Sequence, residues 1–178
     1  VDAAKRGVLT QYEGKEMNRD KNKKVFDRNA EALKAAEDVL SALKGDCENS
    51  PKSPFVIIVE GRRDVLSLRN LGIKEEIEIV KCANQPTAEF CEQIAKTGKE
   101  AVIMTDWDRK GGILASRLAE QFQNLGVPCH TKYRETLLFY TKREIKDVES
   151  LFSHVSKLKN ADDDSEDSND SDEHYLDE

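Results

Sequence analysis

Two acidic clusters each follow a short apolar run. Val59-Glu60-Gly61-Arg62-Arg63-Asp64 closes FVIIV (55–59), and Thr105-Asp106-Trp107-Asp108-Arg109-Lys110-Gly111-Gly112 closes AVIMT (101–105). If the chain stays extended past Thr105, Asp106 and Asp108 project to one side and Trp107 to the other. Two carboxylates aimed at one point repel each other unless a cation sits between them. Mg2+ suits such a site, because it takes one or two carboxylates and keeps waters or phosphate oxygens in its other positions. Mn2+ is the alternative cation for the same oxygen ligands. Gly61 lets a phosphate approach the backbone, and Gly111-Gly112 open a helix whose first N–H groups can face an anion. Arg62, Arg63, Arg109 and Lys110 surround the carboxylates with positive charge, which suits a polyanionic substrate. Lys132 and Arg134, just past a later apolar segment, extend that lining and are expected to contact the phosphates of such a substrate. Asp64 is expected as the N-cap of the following helix. Trp107 has two readings, stacking on an unpaired base or packing in the core.

These clusters need elements to hold them. Short apolar runs alternate with helical periods: strand 55–59, helix 65–71 ended by Gly72, strand 76–81, helix from Pro86-Thr87 to Gly98, strand 101–105, helix 112–125 ended by Gly126, strand 127–133, and helical segments near 134–140 and 144–158. Strand–helix repetition with glycine stops predicts an α/β fold, a four-stranded, mainly parallel sheet flanked by helices. A run that is apolar throughout, as FVIIV is, fits a strand covered on both faces. Ligands in such sheets bind beyond the carboxyl ends of the strands, where both acidic clusters fall. Ahead of this domain (53–160), Phe26, Ala30, Leu33, Ala36, Leu40 and Leu43 recur at helical spacing, with Gly45 as the expected C-cap. Residues 1–24 are polar without sustained period, and 46–54 read as a linker. Residues 1–52 are therefore expected to be a helical extension and linker, able to fold on the domain or to bind a protein partner.

The chain of 178 residues has a net charge of −7. Ten of its 35 acidic residues lie in 161–178, which contains no Lys or Arg. The remaining 160 residues carry 25 acidic against 28 basic side chains, a net of +3. The tail lacks the apolar content to fold and is expected to be disordered. No apolar run is long enough for a membrane span, and the first thirty residues hold no signal-peptide core. The expected location is the cytoplasm, with no membrane partner. Cys47, Cys82, Cys91 and Cys129 show no zinc or disulfide spacing and read as free thiols.

Glu60-Gly61 after an apolar strand, with Asp106-x-Asp108-x-x-Gly111 after a later one, resembles the Toprim domain over about residues 53–158. That domain occurs in topoisomerases, bacterial-type primases, certain nucleases and recombination-repair proteins. The resemblance implies a Rossmann-like Toprim fold, general acid/base work for Glu60, and magnesium held by Asp106 and Asp108; in an endonuclease Glu60 would either activate the attacking water or help bind a second metal. Tyr12, Tyr133, Tyr140 and Tyr175 read as packing or surface residues, not as a topoisomerase nucleophile. The chain is similar to small stand-alone Toprim proteins, the 5S ribosomal RNA maturation endonucleases and a group of small archaeal proteins. In these a Val-Glu element follows the main motifs, matched here by Val148-Glu149; Glu149 is expected in a surface ion pair. The function so implied is a Mg2+-dependent nuclease in RNA processing, acting on RNA in preference to DNA. Two alternatives remain: a non-catalytic nucleic-acid or ribonucleoprotein binding module, and a primase-like nucleotidyl transferase working with a partner subunit.

Overall fold

The computed structural model describes the backbone of residues 2–45, 54–82 and 85–167, and the side chains of 23–44, 54–82 and 85–162. Four strands, β1 (Phe55–Val59), β2 (Ile79–Lys81), β3 (Glu100–Ile103) and β4 (Cys129–His130), form one sheet in the order β2-β1-β3-β4. Every pairing is parallel, with Ile57 opposite Ile79 and Val102, and Ala101 opposite Cys129. All five residues of β1 are buried, as an inner parallel strand requires. Alternate side chains go to opposite faces. Phe55, Ile57 and Val59 join Val102 and Met104 in one core layer, while Val56 and Ile58 join Ala101 and Ile103 in the other.

Helices cover both layers. The first is sealed by α1 (Asp2–Gly45), α2 (Arg62–Asn70), α5 (Lys132–Thr141) and α6 (Leu151–Asp167), through Leu43, Leu68, Leu137, Leu151 and Val155. The second is sealed by α3 (Thr87–Ala95) and α4 (Arg109–Asn124), through Phe90, Ile94, Leu118 and Phe122. The connection through α2 carries the chain outward from β1 to β2. The connection through α3 brings it back across β1 to β3, so the strand order reverses between β1 and β3. The carboxyl ends of those two strands therefore flank a crevice.

The fold agrees with the expected α/β architecture, and several element boundaries differ. Glu76, Ile77 and Glu78 are not strand: Ile77 is buried in the first core layer instead, and β2 keeps only three residues. Residues 132 and 133, expected in the fourth strand, are already the first turn of α5. Helices α2 and α4 begin three residues early because Gly61 and Asp108 act as their N-caps. Gly72, Gly98 and Gly126 close α2, α3 and α4 at positive φ, the left-handed turn open to a residue without Cβ. Helix α1 starts at Asp2 instead of near Phe26, and runs through Gly45. The apolar period marks only the part that packs, and Phe26 itself stays exposed. Helix α6 continues to Asp167, seven residues into the segment expected to be disordered. Once Leu151, Val155 and Leu158 fix the helix, adding turns is far easier than nucleating them. Residues 168–178 of that tail and 46–53 of the linker lie outside the described residues. Cys82, Cys91 and Cys129 are free thiols, each pushed up to about 11 chiefly by burial; Cys47 lies outside the described residues.

On α6, the His154 Nε2 is buried without a hydrogen-bond partner. Burial lowers the His154 pKa below its ordinary value. An imidazole held neutral in the fold stabilises it fully above the unfolded-state pKa near 6.5 and loses that contribution as pH falls below it. Urea unfolding from pH 7.5 down to 5 should therefore show a steeper loss of stability in the parent than in His154→Leu. Parallel curves would refute the assignment.

Candidate metal and nucleic-acid site

Each carboxylate sits where a strand hands over to a helix. Glu60 follows β1, and its Oε1 accepts a hydrogen bond from the Asp106 N–H at 3.1 Å, tying the two acidic clusters across the crevice. Gly61, in extended backbone, caps α2. Asp64 is not that cap, as the sequence suggested. It is the third residue of the helix, and its Oδ2 accepts from the Gly61 N–H at 2.7 Å. The reason is local: a glycine N-cap has no side chain, so the carboxylate three residues on binds the N–H in its place.

Beyond β3 the chain stays in the sheet for one more bond, Met104 N–H to Ile58 carbonyl at 2.8 Å, and then turns. Asp106 Oδ1 accepts from the Val148 N–H at 3.1 Å. Asp108 Oδ1 accepts from the Gly111 N–H at 2.7 Å and caps α4. All three expected ligands are thus anchored through one oxygen to a backbone N–H, which leaves the second oxygen of each for a ligand. Among the described residues, no three His, Cys, Asp or Glu side chains already stand in a metal-holding arrangement.

Charge is crowded here. Burial raises the Asp106 pKa to about 6, opposed by the Val148 hydrogen bond and helped by Asp64, Glu60 and Asp147 nearby. Asp64 is raised as well, by burial first and then by Glu149 and Asp147, against the Gly61 hydrogen bond. Clustered hard-oxygen donors that hinder one another's ionisation are what a divalent cation relieves, so the donor set fits Mg2+ in kind. Asp147 was not singled out in the sequence, although it adjoins the Val148-Glu149 element. Glu149 pairs with Arg63 at 3.1 Å, the surface ion pair expected of it.

Arg62, Arg63, Arg109, Lys110 and Lys132 are exposed around this edge. Lys132 lies over the Tyr133 ring at 4.8 Å. Arg134 departs from the expected phosphate contact. Only 7% exposed, it donates from Nε to the Thr105 carbonyl at 2.9 Å and from Nη2 to the Asp106 carbonyl at 2.5 Å. Its position at the start of α5, directly under the β3 turn, makes those carbonyls its nearest acceptors. Trp107 resolves to the core reading, with its Nε1 donating to Thr141 Oγ1 at 3.0 Å.

The sequence profile described as Toprim-like matches residues 57–151. The UPF0292 protein of Methanosarcina acetivorans is 48% identical over 108 residues, covering 61% of this chain and 74% of its own length. The UPF0292 protein of Methanosarcina barkeri is 46% identical over 127 residues, covering 71% and 85%. A solved protein from Aquifex aeolicus superposes with a TM-score of 0.51 at 18% identity, over 64% of this chain and 95% of its own; at that identity the likeness is one of fold.

A Cβ on Gly111 would stand 2.2 Å from the Asp106 carbonyl oxygen, whereas one on Gly112 would meet nothing closer than Arg134 Nη2 at 3.8 Å. Gly111→Ala should cost about 3 kcal/mol by forcing backbone apart. Gly112→Ala should be neutral or stabilising by up to ~1 kcal/mol, since alanine favours helix. Asp108→Asn keeps a good cap, while Asp108→Ala should lose about 1 kcal/mol. Denaturant melts of the four variants check this ranking. Equal stability of the two glycine variants would remove the close-approach argument.

Proposed function

The chain belongs to the Toprim-like family, whose functions are metal-dependent and directed at nucleic acid, and from that premise we propose that it is a Mg2+-dependent nuclease acting in RNA processing. The observation that carries this reading is the trio Glu60, Asp106 and Asp108, each tethered through one oxygen at the crevice between β1 and β3. A protein that only bound nucleic acid would have little use for carboxylates crowded against a polyanion. Tyr133 and Tyr140 pack against the core, which supports reading them as packing residues.

In this reading Asp106 and Asp108 would hold Mg2+. Bound there, Mg2+ would supply Lewis-acid polarisation of a phosphate and charge stabilisation for the leaving oxygen. Glu60, fixed by the Asp106 N–H, takes a proton from the attacking water as general base. Arg62, Arg109, Lys110 and Lys132 hold the strand by its phosphates, and Arg63 does so by exchanging its Glu149 partner for one. Arg134 keeps the turn carrying both aspartates in place from below. No described helix is long and apolar enough to cross a bilayer.

One observation favours binding without catalysis as a second reading, namely that no three carboxylates of the described residues are already arranged around a common point. Asp106→Asn with Asp108→Asn should abolish Mg2+ binding in calorimetry, since the amides are poor ligands, while the fold stays as stable as before. Glu60→Gln should still bind Mg2+ and RNA, yet cleave structured RNA at least a hundredfold more slowly, as expected for loss of a general base. If the parent cleaves no RNA or DNA with Mg2+ or Mn2+ and Glu60→Gln binds as the parent does, the binding-module reading replaces the nuclease.

A further inference from the structure

Helix α1 is two different objects along its length. From Ala32 to Leu43 it is buried in the first core layer. At residues 23–27 every side chain is exposed, and the helix continues without interruption back to Asp2. Where it leaves the domain is specific. Arg28 pairs with Glu144 at 3.1 Å, and Glu144 lies in the α5–α6 loop that packs against the carboxylate site. Two residues on, the Lys146 carbonyl accepts from the Trp107 N–H at 2.8 Å. Two further, the Val148 N–H binds Asp106. The arm is thus rooted beside the crevice.

Its charge is of the sign a nucleic acid wants. Residues 1–24 hold seven basic side chains against four acidic ones, a net of +3. Five of the seven, Lys15, Arg19, Lys21, Lys23 and Lys24, fall in the ten positions nearest the domain. Lys15, Arg19 and Lys23 recur every four residues and so share one face of the helix. Without a sustained apolar period, the arm has no stripe with which to dock on a protein core or form a coiled coil.

We propose that residues 2–24 of α1 form a nucleic-acid-binding arm that carries the phosphate track outward from the carboxylate site. The inference rests on the nucleic-acid reading above and adds to it where the substrate runs. At 1.5 Å per residue the arm is about 35 Å long, enough to follow roughly ten base-pair steps of a duplex. Long duplexes should therefore gain from it and short ones should not.

The test uses the full chain without metal, so that binding is read apart from cleavage. Affinity for RNA duplexes of about 10 and about 25 base pairs is measured against salt concentration. The variant carries Lys15→Gln, Arg19→Gln, Lys23→Gln and Lys24→Gln together, glutamine keeping helix propensity. A control carries Lys74→Gln and Lys96→Gln, remote from the arm. The parent should prefer the long duplex, and the arm variant should lose that preference, with at least a tenfold weaker long-duplex affinity at low salt. Its log–log salt slope should be shallower by about 2 to 4, close to one per contact removed. The control should match the parent. Parent and arm variant binding the long duplex with equal affinity and slope would overturn the arm while leaving the nuclease reading intact. A parent that binds neither duplex would overturn both. Loss of self-association by sedimentation, with nucleic-acid affinity unchanged, would make the arm a protein interface and overturn the proposal as well.

Discussion

The Asp106 peptide is gripped from four directions, and the arrangement of the site follows from that grip. Its N–H reaches Glu60 from β1, its carbonyl is held by Arg134 from α5, and its carboxylate is met by Val148 from the loop before α6. From the fourth side α4 presses so close that only a glycine fits at position 111. The Thr105 hydroxyl, fully buried, donates to the Gly111 carbonyl at 2.8 Å and holds that contact shut. Elements distant in sequence are thereby fixed to one another at one residue. A shift in any of them would move the carboxylate.

Electrostatics works against this geometry and is offset locally. Burial raises the pKa of Asp106 and of Asp64, with Asp64, Glu60 and Asp147 adding to it at Asp106, and Glu149 and Asp147 at Asp64. The guanidinium of Arg134 lies within their field, favoured by Glu60, Asp106 and Asp108 even though burial lowers its own pKa. A buried cation that spends its donors on backbone carbonyls is satisfied without neutralising any one carboxylate by direct pairing. It steadies the group as a whole and leaves the acidic oxygens for ligands. The site is thus assembled at some cost to the folded state, as functional sites commonly are.

Much of the architecture was legible because it is local. FVIIV is apolar at every position, and β1 is the inner strand it suggested. The glycines after the helices stop them, and Glu60, Asp106 and Asp108 fall at strand ends by simple counting. What escaped was long-range. Nothing near Arg134 shows that its donors meet Thr105 and Asp106, and its charge looked like surface charge. Asp147 is one acid among many until the α5–α6 loop folds back to the crevice. The early starts of α2 and α4 were hidden because their caps belong to the chemical motifs. For α1, an apolar period reports packing and not helicity, so the helical turns before Phe26 left no trace. Helix α6 overran the expected tail for the converse reason, since a helix already anchored tolerates residues that could not start one.

The two ends of the sheet bear on how the protein behaves in company. Its outer strands, β2 and β4, are only three and two residues long, while the well-buried hydrophobic strand β1 lies inside. A sheet recruits a stranger by offering a row of unpaired N–H and C=O groups, and rims this short offer almost none. Several copies gathered along one polyanion would be at high local concentration, the condition that favours edge-to-edge aggregation. Rims this short would give them little edge to pair along.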